Sequence, residues 1–559
     1  MSIDLLRATR FRLLALGLIL LHSSATLCAQ NPNAEQSSSH DTEFKIAGTI
    51  VNALNGAPIG KARVSIFDTS NRANSAWMIT SENGHFEFPE LKAGKFSLQG
   101  GKRGFISAAY DQHEQYSTAI VTGTGLDTES LVLRLTPLAL LAGQIIDEEG
   151  DPVRHAHIML YQENHAGGLY RIIRVSSAST DDQGSYEFPS LAPGNYFVSA
   201  AAKPWYAIHP VASSSDGMAN PPPGVAASLD VAYPTTYYSG ATEADGATPI
   251  PVSGGDRLQI DVRLSPVPAL HLIFRVSNDQ QGVSGPVFQK RVFDTVENVQ
   301  AEGMQSVAPG VYEVTGVPAG KYIVRRPEPK TRQLLQSNEM DLARNGQELD
   351  QSISEPVGAA NLSVKLPRGG QFPKQFSIAL QDSRRRTVAF KPVDTAGEVT
   401  FGDLPAGKYA ILVSSPTKPY SVARTSSQGV ETSGHELNVT PGASLDVTVF
   451  LAGGVVTLEG FAKRGGRPMA GAMVILVPKD PESHQEMLRR DQSDLDGSFV
   501  LRGVIPGAYT VVAVEDAWGF AWLQPGVLSR YVQHGQNVTI GELTEGSMHL
   551  PDPVEVQTR

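Results

Sequence analysis

Gly184-Ser-Tyr186-Glu-Phe188-Pro-Ser-Leu191-Ala-Pro-Gly194-Asn-Tyr196 is the stretch that decides the fold. The first glycine suits a turn that enters a strand, because it tolerates backbone conformations that other residues avoid. Tyr186 and Phe188, two and four residues on, fall on one face of an extended chain. Leu191 follows, then a Pro-Gly turn, and Tyr196 opens a second strand whose apolar face continues at Val198. The same pattern runs from Gly84 to Phe96, Gly310 to Tyr322, Gly397 to Tyr409 and Gly497 to Tyr509. The two glycines are ten residues apart in every copy, whereas successive copies are 100, 126, 87 and 100 residues apart. Fixed spacing inside and variable spacing outside describe a repeated domain with variable loops.

Working outward, a second pattern precedes three of the copies. It reads Gly56, Pro58, Ala62, Val64, Ile66, then Gly150, Pro152, Ala156, Ile158, Leu160, then Gly466, Pro468, Ala472, Val474, Leu476. This is a Gly-Pro turn running into a strand with alternate residues turned inward. Units close on alternating strands, among them Leu131-Leu133-Leu135, Leu258-Ile260-Val262-Leu264 and Leu445-Val447-Val449-Leu451, and more weakly around Leu349 and Ile353 in the third. Helical spacing is found only at Leu334 to Ala343 and Ser483 to Arg490, so the class is all-β. The Leu-x-x-Gly-x-Tyr segment resembles a tyrosine corner, in which a phenol fixes the crossing between two sheets.

The expected organisation is a signal peptide at 1–29, a flexible linker at 30–42, and β-sandwiches at 43–137, 138–267 (with a Pro- and Tyr-rich insert), 268–355, 356–452 and 453–546. The third and fourth are degenerate, residues 547–559 form a tail, and the sandwiches are expected to follow one another like beads.

Composition agrees with folded domains: of 559 residues 41% are hydrophobic and 18% charged, which excludes wholesale disorder. Gly (53) and Pro (37) are abundant enough to predict many turns. Arg7, Arg10 and Arg12 followed by the apolar run Leu13 to Leu21 form an export leader, cleaved after Ala25 or Ala29. Nine apolar residues fall short of the roughly 20 that span a bilayer, so the mature chain is expected to have no transmembrane segment. Without the leader the net charge is near −13, and an acidic chain lacking a basic stripe argues against nucleic acid. Arg384-Arg385-Arg386 reads as a solvated turn. Cys28, the only cysteine, leaves with the leader, so the domains must hold by burial without disulfides, and thiol chemistry is excluded. The compartment read from these features is extracytoplasmic (periplasmic, secreted or surface-associated) in a bacterium.

In carrying both patterns, the chain resembles carboxypeptidase regulatory-like domains, which are transthyretin-like (prealbumin-like), Ig-like β-sandwiches of seven or eight strands. The likeness is good for units one, two and five and partial for three and four. It implies a tandem array of about five accessory sandwiches without catalysis, of a kind grouped with carbohydrate-binding-like folds. Fold kinship alone is analogy for function.

The residues themselves carry no catalytic motif. His113-Glu114 has no partner histidine at helical spacing, and neither a nucleophile elbow nor a phosphate loop occurs. No catalytic residue, metal ligand set or cofactor is therefore expected. His155 and His157 share a strand face but read as solvent-facing neighbours of the inward set. Asp181-Asp182 and Asp491, Asp494 and Asp496 lack the spacing of a calcium loop and read as turn residues. Related pilin sandwiches form isopeptide cross-links with a Glu four residues after the corner tyrosine; here those positions are Gly100, Ala200, Arg326, Val413 and Ala513, so cross-linking is not expected. The candidate ligand residues are aromatics outside the repeat core: Trp205, Tyr206, Tyr233, Tyr237, Tyr238, Trp518 and Trp522, with Phe105 and Phe520 at related places. Flat rings on loops stack on sugar faces. The expected function is thus binding or structural, with a polysaccharide or a cell-envelope protein as partner. The alternative is an accessory subunit of a separately encoded peptidase. Oligomeric state is not readable.

Overall fold

The computed structural model describes residues 43–209, 227–275, 285–327, 334–349, 354–383, 386–416, 419–427, 430–432, 435–482, 484–519, 521–524, 526–541 and 544–559. The leader, the linker, Pro221-Pro222-Pro223, Arg384-Arg385, Phe520 and Ser483 lie outside these residues.

Each copy of the motif builds a similar unit of two facing sets of strands, which in the fifth are joined through Val554–Gln557. In the first, Phe44–Asn52 pairs antiparallel with His85–Leu91 and parallel with Leu131–Leu135. The facing sheet contains Ser75–Ile79, Arg63–Asp68, Gly94–Gly101 and Ala108–Ala109. Copies two, four and five repeat the antiparallel-plus-parallel arrangement around Ala139–Ile146, Gly358–Lys365 and Val456–Arg464. In the third unit the described part of the closing segment makes a parallel bridge between Ile273 and Glu348, with Leu349 buried beside it. Among the described residues each unit has its own apolar core, and two further buried clusters lie outside these five. The residues two places beyond the corner aromatic, Leu98, Val198, Val324, Ile411 and Val511, are all buried, as the alternation predicts.

Local geometry explains the motif. Its first glycine has a left-handed backbone in every copy, with φ of 75°, 70°, 71°, 89° and 78° at Gly84, Gly184, Gly310, Gly397 and Gly497. A Cβ at Gly497 would meet the Ala462 carbonyl oxygen at 2.4 Å, so a side chain is excluded by space as well as by conformation. Six residues later a second left-handed position recurs, occupied by Glu90, Ser190, Gly316, Asp403 and Gly503. It lies in a β-bulge where the strand slips register against its partner. The corner tyrosines behave as expected: Tyr196, Tyr322, Tyr409 and Tyr509 each donate a hydrogen bond of 2.6–2.8 Å to the carbonyl four residues earlier.

Four expectations require correction. Leu334–Leu342 is a strand, not a helix, because its backbone pairs with Gly320–Pro327. The described residues of the second helical stretch form a 3₁₀ turn at Gln485–Met487, followed by a strand from Arg489. Residues 547–559 are not a tail: Gly546–His549 and Val554–Gln557 join the sheets of the fifth unit and bury Val554 and Val556. Nor are the sandwiches independent beads. Val231–Ala232, from the insert of the second unit, pairs with Val267–Arg275 of the third. The fifth unit packs against the first and, through the Leu523 amide and the Gly168 carbonyl (2.8 Å), against the second.

Candidate functional site

Two groups of side chains stand out, one between the terminal sandwiches and one on the second. In the first group, strand Arg489–Gln492 and the following turn of the fifth unit face the loop around Tyr116 of the first. The Arg490 guanidinium lies 5.3 Å from the Tyr116 ring, 5.9 Å from Trp518 and 4.6 Å from Trp522. It also forms an ion pair with Glu114 at 2.8 Å, with both side chains largely buried. His113 stacks on Trp518 with centroids 5.2 Å apart and planes 8° from parallel. The Gln492 amide donates to the Thr118 hydroxyl at 2.9 Å. Asp494 accepts from the Ala119 amide at 2.9 Å and from the Lys95 ammonium at 2.6 Å. A cavity of about 440 Å³ opens beside this contact, lined by Tyr116, Arg489, Arg490, Asp491, Arg502 and Trp522 among others. Burial pushes the Asp491 carboxyl up to about 6, against hydrogen bonding from the Val500 amide that pulls it down.

The second group lies on the second unit. Tyr206 and Tyr233 both donate to Glu148, the Tyr233 bond being 2.8 Å. Desolvation and then this carboxylate push the Tyr206 phenol up to about 12 and that of Tyr233 upward as well, so both stay protonated donors. Trp205 meets Tyr206 edge-on, with centroids 5.8 Å apart and planes at 90°. Its own ring is 87% exposed.

The candidate aromatics therefore divide sharply. Trp518 and Trp522 belong to a buried cluster with Leu528 and Tyr531. Tyr237 is fully buried against Tyr161, Phe197 and Val292; Tyr233 is buried, and Tyr238 packs on the second core. Buried rings offer no stacking platform, which leaves the exposed Trp205 with Tyr206 behind it, and the half-buried Tyr238. Phe105, half-buried, forms a β-bridge with Pro137 at the junction of the first two units. His155 and His157 are exposed beside the buried Ala156 and Ile158. Among the acidic turns, Asp181 accepts from the Gln183 and Ser185 amides, and Asp496 from the Ser498 amide. Arg386 pairs with Asp382 at 2.6 Å.

Sequence reading missed two clusters because their members come from different units. Asp230 bridges His209 (2.9 Å) and His271 (2.8 Å), and His271 reaches Glu313 at 2.8 Å on its other nitrogen. His435, His484 and Glu486 place one donor atom each within 4.8 Å of one another. No local spacing announces either; paired histidine and acidic positions on facing domain edges are the only signal the sequence holds.

The carboxypeptidase regulatory-like domain model matches residues 45–125 and 141–209, which fall in the first two sandwiches. Colossin-A of Dictyostelium discoideum is 22% identical over 377 residues, which is 61% of this chain and 3% of that protein. Among solved structures, the Bacillus anthracis TIE protein aligns over 75% of this chain and 76% of its own at 12% identity and a TM-score of 0.18. The Streptococcal ancillary pilin covers 51% of this chain and 100% of its own at 14% identity and a TM-score of 0.19. BcpA, the major pilin subunit of Bacillus cereus, covers 73% and 99% at 11% identity and a TM-score of 0.14.

Proposed function

We propose that the protein is a non-catalytic, extracytoplasmic structural or adhesive scaffold that presents the second sandwich to a polysaccharide. The observation that carries this reading is Trp205: a large ring, 87% exposed, backed by Tyr206, which Glu148 and Tyr233 hold in place. An exposed indole on a fixed support stacks on a sugar ring with little loss of side-chain freedom. Burial of charged and aromatic side chains between the units supports the scaffold part, since it fixes sandwiches that would otherwise be independent. The leader at residues 1–29 and the absence of cysteine beyond Cys28 support the compartment. No helix among the described residues is long and apolar enough to cross a membrane.

A polysaccharide array probed with the full chain and with Trp205→Ala tests the ligand. At least one glycan should bind, and the variant should lose tenfold or more in affinity while unfolding at the same temperature. An array without a hit, together with a peptidase that co-purifies with the chain, would replace this reading with the accessory-subunit one.

A further inference from the structure

We propose that His435, His484 and Glu486 form a binding site for a transition-metal dication of the zinc class at the junction of the fourth and fifth sandwiches. His435 immediately precedes strand Glu436–Val439 of the fourth unit, and its carbonyl accepts from the Ile411 amide at 2.8 Å. His484 and Glu486 sit on the 3₁₀ turn of the fifth unit, fixed by bonds from the His484 amide to the Asp480 carbonyl and from the Met487 amide to the His484 carbonyl. The donor groups are thus anchored in different units. The two units abut closely here: the Gly454 amide donates to the Pro419 carbonyl at 2.9 Å, and a Cβ on Gly503 would fall 2.2 Å from Pro419.

Three features suit a metal. The donor set is two imidazoles and one carboxylate, which zinc and its neighbours accept in four-coordinate geometry with one position left for water. Metal–ligand bonds of about 2.0–2.1 Å require donors roughly 3.3 Å apart in a tetrahedron. His484 Nδ1 and Glu486 Oε1 are already 3.6 Å apart, and all three donors lie within 4.8 Å, a gap that side-chain rotation closes. The two imidazole rings are 5.8 Å apart, centre to centre. Independently, Glu486 Oε1 is buried with no hydrogen-bond partner, in a side chain only 11% exposed. A carboxylate oxygen hidden from water without a donor is costly, and a cation would satisfy it. Arg489 lies close enough to feel the Glu486 charge, but its guanidinium donates to the carbonyls of Gly503, Glu486 and Leu488 and makes no hydrogen bond to that oxygen. The site would clip the last two sandwiches together, adding a metal bridge to the direct contacts between them.

The test uses full-length, tag-free protein stripped with a chelator and titrated with Zn²⁺ by calorimetry. One equivalent should bind with micromolar or tighter affinity, and Co²⁺ should give the visible absorption of a four-coordinate ion. His435→Gln, His484→Gln and Glu486→Gln should each weaken binding tenfold or more, with unchanged circular dichroism showing that the variants fold. His549→Ala, whose side chain is 71% exposed elsewhere on the fifth unit, should bind like the parent. Absence of binding at millimolar Zn²⁺, or unchanged binding in the His435→Gln/His484→Gln double variant, overturns the proposal.

Discussion

Thr122 donates its hydroxyl to the Lys92 carbonyl at 2.8 Å, and so makes in the first sandwich the bond that a corner tyrosine makes in the other four. Lys92 stands four residues before Phe96, as Ala192, Pro318, Pro405 and Ile505 stand before their tyrosines, and Phe96 has no phenol to offer. The threonine arrives on strand Ile120–Thr122, which pairs with Gly94–Gly101. Removing the hydroxyl with Thr122→Val should cost about 1–2 kcal/mol, a buried hydrogen bond's worth. Phe96→Tyr should recover part of that loss in the valine background and gain nothing in the parent, where the acceptor is already served. Urea unfolding of the four proteins, analysed as a double-mutant cycle, reads the coupling. Simple additivity would show that the two groups do not share one role.

Asp494 illustrates a turn residue diverted to another domain. Its counterparts three residues before the motif glycine, Asp181 and Asp394, cap the amides of their own turns. Asp494 keeps the backbone turn, with its amide bonded to the Ser498 carbonyl, yet gives its carboxylate to Ala119 and Lys95 of the first unit. Asp494→Ala should therefore release the first sandwich from the fifth while leaving the turn folded. Amide exchange at Ala119 should accelerate at least tenfold, and Asp394→Ala should leave it unchanged. Equal exchange in both variants would mean that Asp494 carries no share of the docking.

The repeated core was legible in the sequence because every requirement is local. Left-handed glycine, alternate burial and corner tyrosine all fall within thirteen residues, as Gly184 to Tyr196 shows. Contacts between units left no such trace. Lys95 and Asp494 are 399 residues apart, and a loop tryptophan reads the same whether it faces water, as Trp205 does, or a neighbouring domain, as Trp518 does. The misread strand at Leu334–Leu342 is a related case, since its spacing of apolar residues suits a helix until the pairing with Gly320–Pro327 decides. Only the last strand was missed despite a local signal: Val554 and Val556 alternate with Glu555, which is the pattern of a half-buried strand.

Asp491 should make the fifth sandwich more stable in acid than at neutral pH. Burial raises its carboxyl to about 6, above the 3.8 of an exposed aspartate. The folded state therefore favours the protonated form; the benefit is complete below pH 4 and is lost as pH rises through 6. Asp491→Asn keeps an acceptor for the Val500 amide without a charge to bury. It should be more stable than the parent by about 2–3 kcal/mol at pH 8 and equal to it at pH 4. Thermal unfolding across that range checks the difference, and a gap that does not change with pH would refute it.

The histidine between the second and third units should respond in the same direction for a different reason. Desolvation lowers the affinity of His271 for a proton, but its bonds to Glu313 and Asp230 outweigh that and raise it above the usual histidine value. The charged ring offsets two carboxylates whose side chains keep only 5% and 16% of their exposure. Because the folded-state value is raised, the stabilisation is complete below about pH 6.5 and is lost as pH climbs through the raised value. Replacing the ring by His271→Leu leaves Asp230 and Glu313 facing each other without that cation, so about 3 kcal/mol should be lost at pH 6. Once the pH has passed the raised value the parent has itself lost the proton, so the penalty should shrink as pH increases. Urea midpoints of the two proteins at pH 6 and pH 9 separate this outcome from a packing defect, which would cost the same at both.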